Sequence, residues 1–261
     1  MEWLFYLGLG GFVGFMAGLL GIGGGLIMVP LLLELWTSQG MTVDLAAKLA
    51  VGTSLATIVV TGMSSTLAHH RHGAVQWGVW RQLMPGVVVG AVLGAVLARI
   101  IEGLWLAYLV GIFALLAGIK MGLQWKPKGQ ALALSRPVMV LIGGGIGSIS
   151  SLIGIGGGTL TVPFLVWSRL AMPQAIATSA AVGLPIGVVG ALSFMVVGWG
   201  DSRVPSGSLG WVYMPAAACV ALTSVLFAPK GAALVHRLPV GLIKRIFSVL
   251  LLIIGTRLLL R

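Results

Sequence analysis

Cysteine and charge are the two scarcest features of this sequence. Cys219 is the single cysteine among 261 residues, which excludes an intrachain disulfide and a cysteine metal cluster. Only 8% of the residues are charged, whereas a soluble domain carries about 25%. Hydrophobic residues make up 58% of the chain, and its mean hydropathy is +1.09. This composition excludes a soluble globular domain and indicates an integral membrane protein.

Acidic residues are particularly few, with 5 Asp and Glu against 16 Lys and Arg, for a net charge of +11. A core that binds protons or metal cations usually needs buried carboxylates, so this shortage argues against one. The positive excess has two interpretations. It reflects basic cytoplasmic loops and contact with anionic lipid, or it creates a potential that favours an anionic substrate. The basic residues are scattered in short loops, which argues against nucleic acid as a partner.

The long apolar stretches predict an all-α, polytopic fold with about eight transmembrane helices, because roughly 20 apolar residues cross a bilayer. The first and fifth stretches are too long for one straight span, and each contains a glycine run. Each is therefore either one kinked helix or a span followed by a half-helix. The predicted spans are 3–35, 45–67, 82–99, 104–123, 138–167, 174–198, 211–228 and 241–259.

One motif occurs twice in the chain. Residues 18–30 read GLLGIGGGLIMVP and residues 151–163 read SLIGIGGGTLTVP, at a spacing of 133 residues. Residues 50–62 also resemble residues 181–193, at a spacing of 131. These similarities predict two homologous four-helix halves, residues 1–123 and 138–261, joined by the polar loop 124–137.

The two glycine runs are the predicted substrate site. Irregular backbone at membrane depth is tolerated where it is buried in protein or lines a polar cavity, and paired breaks in two halves are typical of a transporter site. Glycine accepts a positive φ, and helices starting at Leu26 and Thr159 would offer free N–H groups to an anion. The alternative is close helix packing through small residues. The candidate binding residues are Gly23, Gly24, Gly25, Leu26, Gly156, Gly157, Gly158 and Thr159.

Two Thr-Ser pairs near the starts of spans 2 and 6 add hydrogen-bond donors without adding charge. Thr53 and Ser54, with Thr178 and Ser179, can bind the oxygens of an anion, or each can bond a carbonyl in its own helix. The spacing of 131 sets residues 184–185 opposite the first pair, so the two pairs are not expected to be equivalent.

A few charged or titratable side chains are candidates for an electrostatic or gating role. Lys48 either extends to the membrane interface or attracts anions. His69 and His72 belong either to an ordinary basic loop or to a pH-responsive gate. No acid or cysteine lies beside them to complete a zinc site, so no metal is predicted. Asp44 is expected to cap span 2.

The doubled glycine motif, the segment 50–62 and the pattern of His69, Gly73 and Val75 together resemble the TauE/SafE family of membrane anion transporters. The resemblance covers the chain from about residue 10 to its end. It implies a secondary transporter, expected to be an exporter, in the bacterial inner membrane. Its expected substrates are small sulfur-containing anions such as sulfite, sulfoacetate or other sulfonates, bound near the bilayer midplane between the two glycine breaks.

Two other functions are weighed against transport: a non-transporting membrane subunit and a membrane-embedded enzyme. The sequence contains no nucleophile–base pair, no Walker motif and no metal signature, so catalysis is not expected and no cofactor is predicted. The expected partners are membrane lipid and a small anion, and a homo-oligomer is left open.

Overall fold

The computed structural model describes residues 2–20, 24–123, 135–234 and 240–260. The described part is helical except for one short hairpin, which confirms the all-helical class. The elements are α1 (Glu2–Leu20), α2 (Gly25–Ser38), α3 (Val43–Arg71), α4 (Trp77–Ile100), α5 (Gly103–Gly122), α6 (Arg136–Ile153), α7 (Gly158–Trp167), α8 (Met172–Val197), β1 (Ser208–Leu209), β2 (Val212–Tyr213), α9 (Met214–Leu234) and α10 (Val240–Leu259).

Five of the described helices, α3, α4, α5, α6 and α8, are long and apolar enough to cross a membrane. A helix satisfies its own backbone hydrogen bonds, which lipid cannot do, so continuous apolar segments fold this way. The outer face of α4 exposes large apolar side chains such as Val89 and Leu93, as a lipid-facing surface does.

The predicted start of span 7 at residue 211 is wrong. Trp211 precedes β2, which pairs antiparallel with β1, and α9 begins only at Met214. Gly210, at φ +54°, forms the turn between the two strands. This conformation is costly for residues with a side chain, so glycine suits the turn. Because the hairpin includes the residues up to Tyr213, the helix begins after them.

The helices before and after the first glycine motif run in opposite directions. Near the motif, Gly24 lies against the side chain of Val13. Farther away, the indole Nε1 of Trp36 donates a 3.0 Å hydrogen bond to the hydroxyl of Tyr6. The residues nearer the motif on its two sides contact each other, and so do the residues farther from it. Helices α1 and α2 therefore pack as an antiparallel pair.

The second glycine motif ends α6 at a defined point. Gly154 adopts the left-handed conformation, at φ +73°, and its N–H donates to the carbonyl of Ser151. The N–H of Ile155 donates to the carbonyl of Ser150 at 2.9 Å. This pair of bonds is the Schellman ending that glycine favours. Among the described motif glycines, Gly154 is the one with a positive φ, so the expected freedom is needed at this position.

The helices pack in four main pairs: α1 with α9, α4 with α6, α3 with α8, and α5 with α10. Glycines form much of the α4–α6 interface. Gly86, Gly90 and Gly94 of α4 lie against the backbone of α6, and Gly143 and Gly147 of α6 lie against the backbone of α4. Small residues let the helices approach this closely. These isolated glycines therefore serve close helix packing, which was the alternative role considered for the glycine runs.

Helices α3 and α8 cross in antiparallel directions. Gly52 in the first half of α3 lies against Phe194 near the end of α8, and Gly62 lies against Leu184 nearer its start. The start of α3 and the end of α8 are therefore at one end of the bundle, which we call the Asp44 end. The end of α3 and the start of α8 are at the other, which we call the His69 end.

Candidate functional site

A cavity of about 150 Å³ lies between the two glycine motifs. One water molecule needs roughly 10–15 Å³ by such a measure, so this cavity has room for a small polyatomic ion. Its walls come from α1, α2, α3, α8, α9 and the second motif. The lining residues include Gly24, Gly25, Gly156, Gly157, Gly158, Thr57, Thr61, Ser65, His69, Ser179 and Ser224.

Two helix N-termini contribute to the lining of this cavity. Helix α2 begins at Gly25 and α7 at Gly158, each one residue earlier than the sequence predicts. Their N-cap residues, Gly24 and Gly157, provide no side-chain cap hydrogen bond. First-turn N–H groups have no acceptor within their own helix, and the positive end of the helix dipole lies there. Both ends therefore offer donors to a ligand.

Ser179 is a candidate residue that is buried, lines the cavity and has a hydroxyl without a hydrogen-bond partner in the described part of the chain. It is 1% exposed, and its hydroxyl has no hydrogen-bond partner among the described residues. Other buried hydroxyls in the described part also lack a partner: Thr66, Ser150, Ser151, Thr159, Thr161 and Ser208. Of this group, Ser179 is the one that lines the cavity. A buried hydroxyl without a partner is costly, and a bound ligand or water would remove that cost.

The other three hydroxyls of the two pairs already bond the protein. The Oγ of Ser54 donates to the carbonyl of Gly154 at 2.7 Å. The Oγ1 of Thr53 accepts the N–H of Tyr213 at 3.0 Å, and the Oγ1 of Thr178 accepts the N–H of Gln76 at 2.9 Å. These three residues are not among those that line the cavity.

The last two bonds are of the same kind, which the sequence did not lead us to expect. Tyr213 and Gln76 each precede a helix, α9 and α4, by one residue. Thr53 and Thr178 thus have the same local role, at a spacing of 125 rather than 131.

Two other glycine-motif candidates do not line the cavity. Leu26 is buried in the apolar core, and Thr159 is half-buried without lining the cavity. Gly23 lies outside the described residues.

One face of α3 lines the cavity and was missed by the sequence analysis. Thr57, Thr61, Ser65 and His69 recur every four residues, so they lie along one side of the helix. That spacing of polar residues in an apolar span is a signal that the sequence contains. The face runs from buried Thr57 to half-buried His69, so the cavity approaches the surface at the His69 end.

His69 is the one titratable side chain among the lining residues, and none of them is acidic. His72 is exposed and does not line the cavity. Nearby, the Nδ1 of His70 accepts a 3.3 Å bond from the indole of Trp77. Within the described part, no group of three His, Cys, Asp or Glu side chains is arranged to hold a metal ion.

Lys48 lies at the Asp44 end and does not line the cavity. Its Nζ is 2.8 Å from the Oδ1 of Asp44 and lies over the ring of Trp211, 5.0 Å from the centroid. Asp44 does not cap its own helix, because Thr42 occupies the cap position of α3. Its Oδ1 instead accepts the N–H of Gly103, the first residue of α5, at 2.8 Å.

Arg203 and Asp201, in the loop between α8 and β1, complete this group of charges. The Nη1 of Arg203 contacts Asp44 at 3.1 Å, and its Nη2 contacts Asp201 at 2.8 Å. The hydrogen bonds from the Arg203 guanidinium hold the pKa of Asp201 well below its usual range. Reciprocally, the Asp201 carboxylate raises the pKa of Arg203.

Comparisons with known proteins agree on one kind of molecule. The family model described as "Sulfite exporter TauE/SafE" matches residues 6–258. A probable membrane transporter protein of Haemophilus influenzae is 35% identical over 253 residues, covering 97% of this chain and 96% of that protein. The probable membrane transporter protein YunE of Bacillus subtilis is 28% identical over 279 residues, covering 99% and 97%. No solved structure matches the chain.

The family match spans nearly the whole chain and includes both glycine motifs and the helices that form the cavity between them. The chain is a multi-pass membrane transporter that belongs to the TauE/SafE family.

Proposed function

We propose that this protein carries a small sulfur-containing anion, such as sulfite, sulfoacetate or another sulfonate, across the bacterial inner membrane, and that the cavity between the glycine motifs binds it. The observation that carries the proposal is a convergence. Two helix N-termini without side-chain caps and Ser179, whose buried hydroxyl has no partner among the described residues, line one cavity, which has no acidic lining residue. N–H groups and hydroxyls bind an anion without a charged side chain.

The proposed contacts divide the candidate residues by role. Backbone N–H groups near Gly25 and Gly158 hold the anionic group, and the Oγ of Ser179 donates a further hydrogen bond. His69, on the lining face of α3, tunes the potential at the cavity mouth. Thr53 and Thr178 support the site indirectly, since each holds the backbone before another helix.

We further propose that the chain consists of two repeats, residues 1–123 and 138–261, that move relative to each other during transport. The exchanged packing supports this proposal, because α1 packs on α9 and α6 packs on α4. The matching roles of Thr53 and Thr178 support it as well. In this scheme the direction of transport is outward, in keeping with a family of sulfite exporters.

Transport is favoured over the two alternative functions. Membership of a transporter family supports a carrier rather than an enzyme or an accessory subunit. The charged side chains that contact each other at the Asp44 end are joined in ion pairs, which is a structural rather than a catalytic arrangement.

A thermal-shift panel tests the proposed substrate class. Purified protein is heated with sulfite, sulfoacetate, sulfate, thiosulfate, acetate or taurine, which is zwitterionic. A ligand that binds only the folded state raises the melting temperature, by an amount set by its concentration relative to Kd. We expect sulfite or sulfoacetate to give the largest shift. Sulfamoylacetamide is a neutral analogue of sulfoacetate, with an amide and a sulfonamide in place of its two acidic groups. An equal shift from this compound would contradict the anion site.

A further inference from the structure

The charged group at the Asp44 end and the cavity occupy opposite parts of the same helix. We propose that Asp44, Lys48, Asp201, Arg203 and Trp211 form a latch that closes the transport path on the Asp44 side while the cavity communicates with the His69 side. The proposal rests on the proposed transport function, and goes beyond it by assigning the closed gate.

The latch joins parts of the chain that are far apart in sequence. Asp44, in the first turn of α3, bonds Arg203, which is 159 residues later, and the N–H of Gly103 at the start of α5. Asp201 accepts a 3.0 Å bond from the indole of Trp211 and two bonds from the Arg203 side chain. Three elements, α3, α5 and the α8–α9 connection, are thereby held together at one end.

An aromatic layer adjoins the latch and adds to the closure. Tyr213 makes edge-to-face contacts with Tyr6 and with Trp36, at centroid separations of 6.1 and 6.0 Å. Trp211 contacts Phe194 in the same way, at 6.3 Å. Interlocked rings of this kind leave little room for a hydrated ion, so the path on this side is filled with side chains.

Position along α3 separates the latch from the substrate cavity. Lys48 precedes Thr57, the first cavity-lining residue of this helix, by nine residues. At about 1.5 Å per residue this is roughly 13 Å along the axis. The bonds of Thr53 to Tyr213 and of Ser54 to Gly154 lie between them. Along α3 the order is therefore the latch, the two bonds of Thr53 and Ser54, the cavity, and then His69.

The latch is strong enough to favour one state and weak enough to open. The side chain of Arg203 is 51% exposed, and ion pairs that water reaches contribute little net stability. Lys48, by contrast, is 6% exposed and remains with Asp44 on α3 when the α8–α9 connection moves away. Opening thus breaks the bonds of Arg203 to Asp44 without leaving Lys48 buried and unpaired.

Reciprocal cysteine labelling tests the latch without any substrate. In a Cys219→Ala background, one reporter is Val212→Cys, since Val212 is fully buried in β2. The other is Ser65→Cys, on the half-buried cavity face of α3. A charged maleimide measures the reaction rate of each thiol in purified protein. The variant is Arg203→Ala, and the matched control is Arg99→Ala, an exposed arginine at the end of α4.

Arg203→Ala is expected to speed labelling at position 212 at least fivefold and to slow labelling at position 65 by a similar factor. Arg99→Ala is expected to change neither rate. Unchanged labelling at position 65 would overturn the latch, because it would mean local loosening alone. Equal effects of the two arginine variants would also overturn it. A failure of the substrate panel would instead reject the proposed function, since labelling is read without ligand.

Discussion

Ser179 and Ser54 are chemically identical residues to which the structure gives different surroundings. The hydroxyl of Ser54 bonds the carbonyl of Gly154. Ser179 lines the cavity, and its buried hydroxyl has no partner among the described residues. Substitution by alanine therefore has opposite expected effects at the two positions. One removes a bond that holds the fold, and the other removes a group that awaits a ligand.

We predict that Ser179→Ala weakens anion binding about tenfold without lowering the melting temperature, because a hydrogen bond to a charged group contributes about 1.5–3 kcal/mol and the hydroxyl has no partner among the described residues. Ser54→Ala is the matched control. It leaves the Gly154 carbonyl unpaired, which costs about 1–3 kcal/mol, so its melting temperature falls. Thermal melts and titration of sulfite measure both quantities. A destabilised Ser179→Ala protein that binds sulfite normally would contradict the assignment.

Gly156 allows the space inside the cavity to be tested separately from folding. A Cβ at Gly156 would meet only the side chain of Ile58, at 3.7 Å, which is an ordinary contact. At Gly157 a Cβ would meet the backbone of Gly183 and Ser179 at 3.1 Å. A substitution at Gly157 therefore disturbs folding and binding together, and Gly156 is the better position.

Gly156→Ala is predicted to reduce anion affinity at least tenfold without lowering the melting temperature, because the methyl group occupies ligand space. Gly145→Ala serves as the control, since nothing lies within 4 Å of a Cβ there. It should alter neither property. Isothermal titration and thermal denaturation of the two variants provide the comparison. Wild-type affinity in Gly156→Ala would place the anion elsewhere.

At the scale of single residues, the sequence predicted several residues that line the cavity. It did not predict the hydrogen bonds that the other candidate residues make. Six of the predicted binding residues line the cavity: Gly24, Gly25, Gly156, Gly157, Gly158 and Ser179. The glycine runs are readable because the same run, followed by a proline, occurs twice, whereas the glycines at 143 and 147 pack against α4 instead. The roles of Thr53 and Thr178 could not be read, because their bonding partners lie 160 and 102 residues away.

At the scale of elements, the loop between α8 and the hairpin is defined by its charges. Arg203 lowers the pKa of Asp201, so this carboxylate stays ionised throughout the neutral range. A depressed pKa adds stability above the unfolded value, which is about 3.9 for aspartate. That stability is lost as the pH falls toward the folded value.

We expect Asp201→Asn to lower the melting temperature by a constant amount between about pH 5 and 8. Below about pH 4 the difference should shrink, because the aspartate of the unfolded wild-type chain takes up a proton and the stabilisation begins to be lost. Thermal melts of both proteins across this pH range make the measurement. A difference that disappears near pH 6 would show that another group controls the loop.

Hydrophobic runs were sufficient to predict the long helices, since lipid requires each apolar segment to satisfy its own backbone. The hairpin was not predicted, because Trp211 and Val212 are as apolar as the helix that follows. Whether the first apolar stretch forms one kinked helix or a span followed by a half-helix was left open for a similar reason. The contacts of Gly24 with Val13 and of Trp36 with Tyr6 decide it, and neither contact leaves a periodic pattern.

At the scale of the whole molecule, the order of helices followed from the sequence and their partners did not. Packing of α1 on α9 and of α4 on α6 joins segments that are distant along the chain. The repeat spacing could be read at the glycine motifs, where the residues are nearly identical. The similar bonds of Thr53 and Thr178 could not be read, because they are made to Tyr213 and Gln76 in distant parts of the chain.

The central claim is that an anion binds between the two glycine breaks. The most direct test is a cryo-EM or crystal structure of the protein with bound sulfite, or with the sulfonate that gives the largest thermal shift. The account predicts ligand density within hydrogen-bond distance of the Ser179 hydroxyl and of N–H groups at the starts of α2 and α7. Density beside Lys48 and Arg203, with the cavity between the glycine motifs empty, would contradict it.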